Sequence, residues 1–214
     1  MDALIERAAY QWGRWIAAYG QHVAQTGHVQ WHGLENIPDE PVIWFAWHGA
    51  NLIGLALHHK ISNRACQAFI PPGIVGATMT GWLDRAQFEP AVLPEDGRGN
   101  ATAALKTILR GLSKDKDLVI AVDGPHGPSE RVRPGAFWLA RMTGRPLIAI
   151  GVAARPVIRF PRWDRHMIPL PWSRVAVALG QPFHVSKDQE IDQSFLDSIR
   201  DMINSTSRFA WEVV

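Results

Sequence analysis

Short apolar runs alternate with helical segments along this chain beyond Pro38. Apolar runs of about four to eight residues between turn residues are typical of buried strands, whereas helices need longer periodic segments. The predicted strands span 41–47, 65–70, 88–93, 117–122 and 146–152, with further strands at 156–160 and 174–179. The predicted helices span 50–60, 76–86, 101–113, 135–143 and 188–207. This alternation predicts a single α/β domain with a largely parallel central sheet and helices on both faces.

The N-terminal segment, 1–28, has the pattern of an amphipathic helix that precedes the α/β domain of residues 29–214. Its apolar residues recur at helical spacing at Leu4, Ala8, Trp12, Trp15, Ile16, Tyr19 and Val23. Tryptophan and tyrosine beside arginines are typical of a helix that lies in a lipid interface. A helix packed on the domain's own core explains the same stripe, so the pattern leaves both arrangements open.

The last predicted helix, 188–207, carries a start signal. Ser186 would be its N-cap, because Gln189 follows three residues later in the capping-box arrangement. Its apolar residues repeat every four positions at Ile191, Phe195, Ile199 and Ile203, which predicts an inward-facing stripe.

Charge is unevenly distributed, although the formal net charge is only +2. The stretch 131–174 contains nine arginines, no lysine and one acid, Asp164. Because the planar guanidinium binds phosphate and carboxylate in a bidentate way, this stretch predicts an anionic partner. A basic face that contacts only solvent explains the same residues. A phosphorylated substrate, an anionic membrane surface and nucleic acid are the candidates.

Other classes of site lack support. The single cysteine, Cys66, excludes an intramolecular disulfide, and its apolar surroundings predict a buried thiol. The histidines lack the cysteine or carboxylate neighbours of a metal site, so no metal is predicted. The Gly-x-Ser-x-Gly elbow of serine hydrolases and the Walker phosphate loop are both missing from the sequence.

Polar residues follow two of the predicted strands at the point where each strand ends. Asp123-Gly124-Pro125-His126-Gly127-Pro128 follows the strand 117–122 and precedes Arg131 and Arg133, while His48 follows the strand 41–47 and begins a helix. Open α/β sheets bind ligands at this carboxyl edge. The positive end of a helix disfavours the imidazolium, so His48 is a candidate proton acceptor.

A third polar loop, Glu95-Asp96-Gly97-Arg98-Gly99-Asn100, also lies between a predicted strand and a predicted helix. Asn100 can cap the helix, and Arg98 together with free backbone N–H groups can hold a phosphate there. A flexible capped loop without a ligand explains the same residues.

These pieces in this order resemble the lysophospholipid-acyltransferase-like superfamily, and within it the bacterial branch called domain of unknown function 374. The resemblance covers about residues 29–185. It rests on Trp31-His32-Gly33-Leu34-Glu35, Phe45-Ala46-Trp47-His48-Gly49, the loop 95–100, Asp123 to Pro128, Pro134-Gly135 with Leu139-Ala140, Gly144-Arg145-Pro146-Leu147-Ile148, Trp163-Asp164-Arg165 and Ile168-Pro169-Leu170-Pro171-Trp172-Ser173.

The resemblance implies transfer of a fatty acyl group from acyl-coenzyme A or an acyl-carrier protein to a hydroxyl of a phosphorylated lipid, such as a lysophospholipid or a lipid A precursor. His48 would be the general base, with Asp123 as the second catalytic residue and no cofactor or metal. Glu95, Arg98, Gly124, Arg131 and Arg133 would bind substrate. The wider superfamily has an acid five residues after the histidine, where this chain has Ile53. The carboxylate that orients His48 would instead be Asp123, Glu95 or Asp96, or such a carboxylate would be absent.

The predicted location is the cytoplasmic side of the inner membrane, as a peripheral protein in contact with the membrane surface. Two alternatives stay open. One is a relative that binds lipid or an acyl carrier without turnover. The other, which the motifs disfavour, is an α/β protein that binds a nucleotide or nucleic acid through the arginines of 131–174.

Overall fold

A seven-stranded mixed sheet forms the centre of the protein, in a computed structural model that describes residues 2–92, 109, 115–124 and 126–214. Its strands are β1 (His28–His32), β2 (Ile43–Ala46), β3 (Cys66–Ile70), β4 (Phe88–Val92), β5 (Asp117–Ala121), β6 (Leu147–Arg159) and β7 (Met167–Leu179). The helices are α1 (Asp2–Thr26), α2 (Asn51–Leu57), α3 (Gly73–Ala86), α4 (Gly135–Thr143) and α5 (Gln193–Val213). The predicted α/β fold with an N-terminal helix is confirmed.

The strand order is β1-β7-β6-β2-β5-β3-β4. Strands β6, β2, β5, β3 and β4 run parallel to one another, which brings their carboxyl ends to one edge of the sheet. Strand β7 returns antiparallel to β6, and β1 runs parallel to β7. The antiparallel pair makes β6 and β7 a long hairpin that begins at the carboxyl edge.

Two apolar layers enclose the sheet because successive residues of a strand point to opposite faces. Trp44 of β2 packs into the layer that includes Val23 and Ile53 from helices α1 and α2. Its neighbour Phe45 faces the other layer, with Phe137 of α4 and residues of α5. All five side chains are fully buried or nearly so, which fixes the end of β2 between two packed layers.

Helix α1 buries small residues rather than its large aromatic ones. Its buried positions are Gly13, Ala17, Gly20 and Val23. A methyl group at Gly13 would clash with the backbone of Thr78, so glycine is needed for the close contact of α1 with α3. Trp12 and Trp15 remain 63% and 70% exposed. The predicted apolar stripe is therefore divided. Leu4, Trp12 and Trp15 point to solvent, whereas Val23 is buried in the core and Tyr19 packs against it.

Several predicted boundaries differ from the structure. The capping residue of the last helix is Asp192, whose Oδ1 accepts a hydrogen bond from the backbone N–H of Phe195 at 2.8 Å. The Ser186 carbonyl instead closes a separate turn with the Gln189 N–H. The predicted strand 156–160 is the continuation of β6, and 174–179 is the second half of β7. Strand β1 was not predicted, and the predicted helix 101–113 lies outside the described residues apart from Leu109.

The single cysteine is buried as predicted. Cys66 is 1% exposed in the layer that contains Trp44, and burial raises the pKa of its thiol well above the ordinary value. Among the described residues, the longest and most apolar helices fall short of what is needed to cross a membrane.

Candidate active site

His48 and Asp123 meet at the carboxyl edge of the parallel strands. The Nδ1 atom of His48 lies 2.8 Å from Asp123 Oδ1, and the backbone N–H of His48 donates to the same oxygen at 3.0 Å. A carboxylate can only accept hydrogen bonds, so Nδ1 carries the proton and Nε2 is the ring nitrogen with a free lone pair. Asp123 is fully buried, whereas the side chain of His48 is 22% exposed.

The topology of the sheet explains this contact across 75 positions of the chain. Strands β2 and β5 are parallel neighbours, with Ala46 paired with Ala121. Each candidate residue stands two positions beyond its strand. The Val122 N–H also bonds the Ala46 carbonyl at 3.0 Å, which continues the pairing past the strands and holds His48 beside Asp123.

The position five residues after the histidine contributes to the core rather than to this pair. Ile53 lies on α2, is 1% exposed and packs in the layer of Trp44. Of the three carboxylates proposed to orient His48, Asp123 makes the contact. Glu95 and Asp96 lie outside the described residues.

A second buried carboxylate, Asp117, provides a contrast. Its Oδ1 accepts the Val42 N–H, while its Oδ2 accepts Trp44 Nε1 at 3.0 Å and Ser62 Oγ at 2.7 Å. It stands at the start of β5, at the opposite edge of the sheet, and both of its oxygens are used to join strands. Asp123 Oδ2 is also buried but has no hydrogen-bond partner among the described residues. Because both oxygens of Asp117 accept hydrogen bonds within the fold, its role is structural.

The glycines after Asp123 shape the loop that carries it. Gly124 and Gly127 both have left-handed backbones, with φ of 72° and 69°, which other residues adopt only at a cost. Arg133 crosses this loop, because its side chain passes Gly124 and its guanidinium donates to the Gly127 carbonyl at 2.6 Å. Arg133 was predicted to bind substrate. One of its guanidinium N–H groups instead stabilises the loop.

The remaining predicted substrate residues are only partly described. Arg131, which follows the same loop, is exposed. Arg98 and Glu95 lie in the part of the chain that the structure does not describe. Their proposed contacts therefore remain predictions.

The turn between β6 and β7 forms one wall of the site, which the analysis of the sequence did not assign to it. The ring of Trp163 lies 5.2 Å from that of His48, edge to face, and covers Gly127, where a Cβ would come within 2.5 Å of the indole. A Cβ at Gly49 would come within 2.6 Å of the Asp164 carbonyl. The signal available in the sequence was Trp163-Asp164-Arg165, used there only for the family resemblance.

His166 adds a second titratable pair beside the first. Its Nδ1 lies 3.6 Å from Asp164 Oδ2. Burial lowers the pKa of His166, the negative charge of Asp164 opposes this shift, and the proximity of His48 adds a smaller lowering effect. His166 is therefore neutral near pH 7 and adds no positive charge next to His48. Within the described ranges, no group of three or more side chains is arranged to hold a metal ion.

Comparisons with known proteins identify a protein of similar sequence and a solved structure of similar fold. No protein-family model matches the chain. An uncharacterised protein of Rickettsia prowazekii (strain Madrid E) is 26% identical over 151 residues, which make up 71% of this chain and 67% of that protein. The crystal structure of the 1-acyl-sn-glycerophosphate (LPA) acyltransferase PlsC from Thermotoga maritima is similar with a TM-score of 0.56 and 15% identity. The match covers 94% of this chain and 79% of that one. The two proteins share a fold, as the resemblance in sequence predicted, while the assignment to the narrower bacterial branch stays a prediction.

Proposed function

We propose that this protein is an acyltransferase that moves a fatty acyl group from a thioester to a hydroxyl of a lipid acceptor. The observation that carries this proposal is the His48–Asp123 pair, joined at 2.8 Å at the carboxyl edge of the sheet. The fold that it shares with an LPA acyltransferase supports the same class of reaction.

In the proposed reaction, Nε2 of His48 removes the proton of the acceptor hydroxyl while the oxygen attacks the thioester carbonyl. The C–O bond forms, the C–S bond breaks, and the departing thiolate takes the proton back from the imidazolium. Asp123 stabilises the positive charge of the ring and holds it through Nδ1. The backbone N–H of His48 is occupied by Asp123, so the oxyanion would be stabilised by other donors.

The acceptor would carry a phosphate. Arg131 is exposed just beyond the loop of Asp123, and Arg133 keeps guanidinium N–H groups beyond the one that bonds Gly127. Guanidinium groups suit a phosphate because of their fork of donors. A lysophospholipid and a lipid A precursor both present such a phosphate, while Arg98, Glu95 and Gly124 complete the proposed binding residues. The donor would be acyl-coenzyme A or an acyl-carrier protein.

Helix α1 would contribute a contact with the cytoplasmic surface of the inner membrane. Leu4, Trp12 and Trp15 are 73%, 63% and 70% exposed on one side of the helix, while glycines face the protein. An exposed apolar stripe with tryptophans is typical of helices that lie in a lipid interface. The protein would then meet its acceptor at the membrane surface through this helix.

The test is to incubate purified protein with labelled acyl-carrier thioester or acyl-coenzyme A and a panel of phosphorylated lipid acceptors. We expect a labelled lipid product, and His48→Ala should lower its rate by about 10²–10⁴-fold, the usual contribution of a general base. His184→Ala is the matched control, because His184 is exposed and bonds Gly144 at the opposite edge of the sheet. Lipid binding with no product from any donor would favour the alternative of a binding protein without turnover.

A further inference from the structure

The far half of the β6–β7 pair concentrates positive charge on one protruding element. Residues 155–174, which we call the arginine hairpin, comprise the outer part of β6, the turn and the start of β7. Its exposed arginines are Arg155, Arg159, Arg162, Arg165 and Arg174. The single acid of this segment, Asp164, is only 7% exposed. The solvent-facing charge of the hairpin is therefore wholly positive.

The arrangement of these arginines works against the stability of the sheet. Arg155 and Arg174 stand directly opposite one another in the β6–β7 register, where like charges destabilise a strand pair. Arg155, Arg159 and Arg174 form no ion pair among the described residues. Positive charges that repel one another and form no ion pair among the described residues indicate an anionic partner outside the fold.

An aromatic residue orients two of the guanidinium groups. Trp211 of α5 lies under Arg155 and Arg159, whose Cζ atoms are 5.7 and 5.1 Å from the ring centroid. Arg155 also donates to the Trp211 carbonyl at 3.3 Å. Cation–π contact holds an arginine over the ring while some of its N–H donors remain free for another acceptor.

Large apolar side chains project from the same hairpin. Ile158, Phe160 and Trp172 are 54%, 48% and 75% exposed. Trp172 has a left-handed backbone with φ of 64°, a costly conformation for a bulky residue, and its N–H bonds Thr26 Oγ1 at the end of α1. The strain is retained although the indole gains no burial, which indicates a role on the surface.

The hairpin also adjoins the candidate active site. Its turn contains Trp163, which contacts His48, and Asp164, whose carbonyl abuts Gly49. A surface bound by the hairpin would therefore lie next to the catalytic pair.

We propose that the arginine hairpin binds the surface of an anionic lipid bilayer, with arginines on the headgroup phosphates and Ile158, Phe160 and Trp172 in the interface. This inference deepens the proposed function, on which its biological meaning rests, by naming the surface that brings the site to its lipid. Arginines interspersed with exposed aromatic residues match the charge and polarity of such an interface.

The test measures binding of the full chain to vesicles of equimolar phosphatidylcholine and phosphatidylglycerol, beside vesicles of phosphatidylcholine alone. Each arginine near an anionic surface contributes about fivefold in affinity, so Arg155→Gln with Arg174→Gln should weaken binding by about 25-fold. Arg141→Gln with Arg200→Gln, on α4 and α5, makes the same change of net charge and should have little effect. If the variant with Arg155→Gln and Arg174→Gln binds the anionic vesicles with wild-type affinity, the proposal is wrong.

Trp172→Gly separates binding from folding. Glycine adopts the left-handed conformation without strain, so thermal stability should stay or rise while vesicle binding weakens by about tenfold. Unchanged binding would contradict the proposed insertion. A different result is that the full chain binds an acidic acyl-carrier protein through Arg155 and Arg174 and fails to bind vesicles. That result would overturn the lipid proposal and identify a protein as the partner of the hairpin.

Acyl transfer to an acceptor dispersed in detergent distinguishes the hairpin proposal from the acyltransferase proposal. The hairpin variants should retain this acyl transfer, because Arg155, Arg174 and Trp172 have no contact with the catalytic pair. Loss of vesicle binding with this transfer intact supports the hairpin proposal. If the wild type binds vesicles but forms no product, the acyltransferase proposal fails and the binding surface stands.

Discussion

Replacing Asp123 with asparagine tests whether the buried carboxylate serves catalysis rather than folding. Asparagine keeps the size of the side chain and an oxygen that can accept from the His48 backbone, but it removes the negative charge beside the ring. Two unit charges about 4 Å apart attract by about 4 kcal/mol at an effective dielectric constant of about 20. Losing that attraction when His48 becomes an imidazolium should lower kcat by about 10³-fold.

The fold should tolerate the same change. Two hydrogen bonds to a charged acceptor become hydrogen bonds to a neutral one, which costs about 1–3 kcal/mol in total. Against this, Asp123→Asn removes a fully buried charge whose Oδ2 lacks a partner among the described residues, and burying such a charge is itself unfavourable. The free energy of unfolding should therefore remain within about 2 kcal/mol of the wild-type value, or rise.

Single-turnover transfer of a labelled acyl group and urea denaturation measure the two effects. Asp117→Asn is the matched control, because the new amide would present a donor to Trp44 Nε1 and Ser62 Oγ, or else to the Val42 N–H. It should destabilise the fold by about 3 kcal/mol and leave kcat per folded molecule unchanged. The reasoning is refuted if Asp123→Asn transfers at close to the wild-type rate, or if its loss of activity merely follows unfolding.

Three further outcomes are expected. Gly127→Ala should lower both the melting temperature and kcat, because its Cβ would displace Trp163 from His48; Gly144→Ala, with a similar φ of 73° and open space around it, should lower the melting temperature alone. Burial lowers the pKa of His166 below its ordinary 6.5, so the unfolded chain binds this proton more readily. Stability should therefore fall as pH drops below about 6.5, and urea titrations of His166→Gln should show a flatter dependence. Trp12→Ser with Trp15→Ser should reduce vesicle sedimentation without loss of stability, since both side chains are largely exposed; unchanged sedimentation would remove α1 from the proposed membrane contact.

Two buried carboxylates lie at opposite ends of β5 and have different roles. Asp117, at its start, satisfies donors from neighbouring segments and joins the sheet together. Asp123, just past its end, faces the edge where the parallel strands stop and where a ligand can approach. The same residue type therefore has different consequences at the two edges of the sheet.

Local patterns in the sequence were sufficient to predict the α/β architecture and to place His48 and Asp123 at the same edge of the sheet. They did not select Asp123 over Glu95, Asp96 or no carboxylate as the partner of His48, and the structure shows that contact. Apolar runs specify strands, and parallel neighbours bring the ends of separate strands to one edge, so two residues far apart in sequence could be expected to meet there. The helix 135–143 and the burial of Cys66 followed from equally local signals.

Other features depend on contacts between elements that a local pattern does not record. The apolar stripe of α1 could not be assigned to core or surface, because the buried face was chosen by close backbone approach at Gly13 and Gly20. Ser186 and Asp192 are both competent caps, and the helix begins after Asp192, whose side chain accepts the Phe195 N–H. Trp163 reaches His48 only because the β6–β7 hairpin folds back over the sheet edge, a long-range contact that depends on how the chain packs in three dimensions.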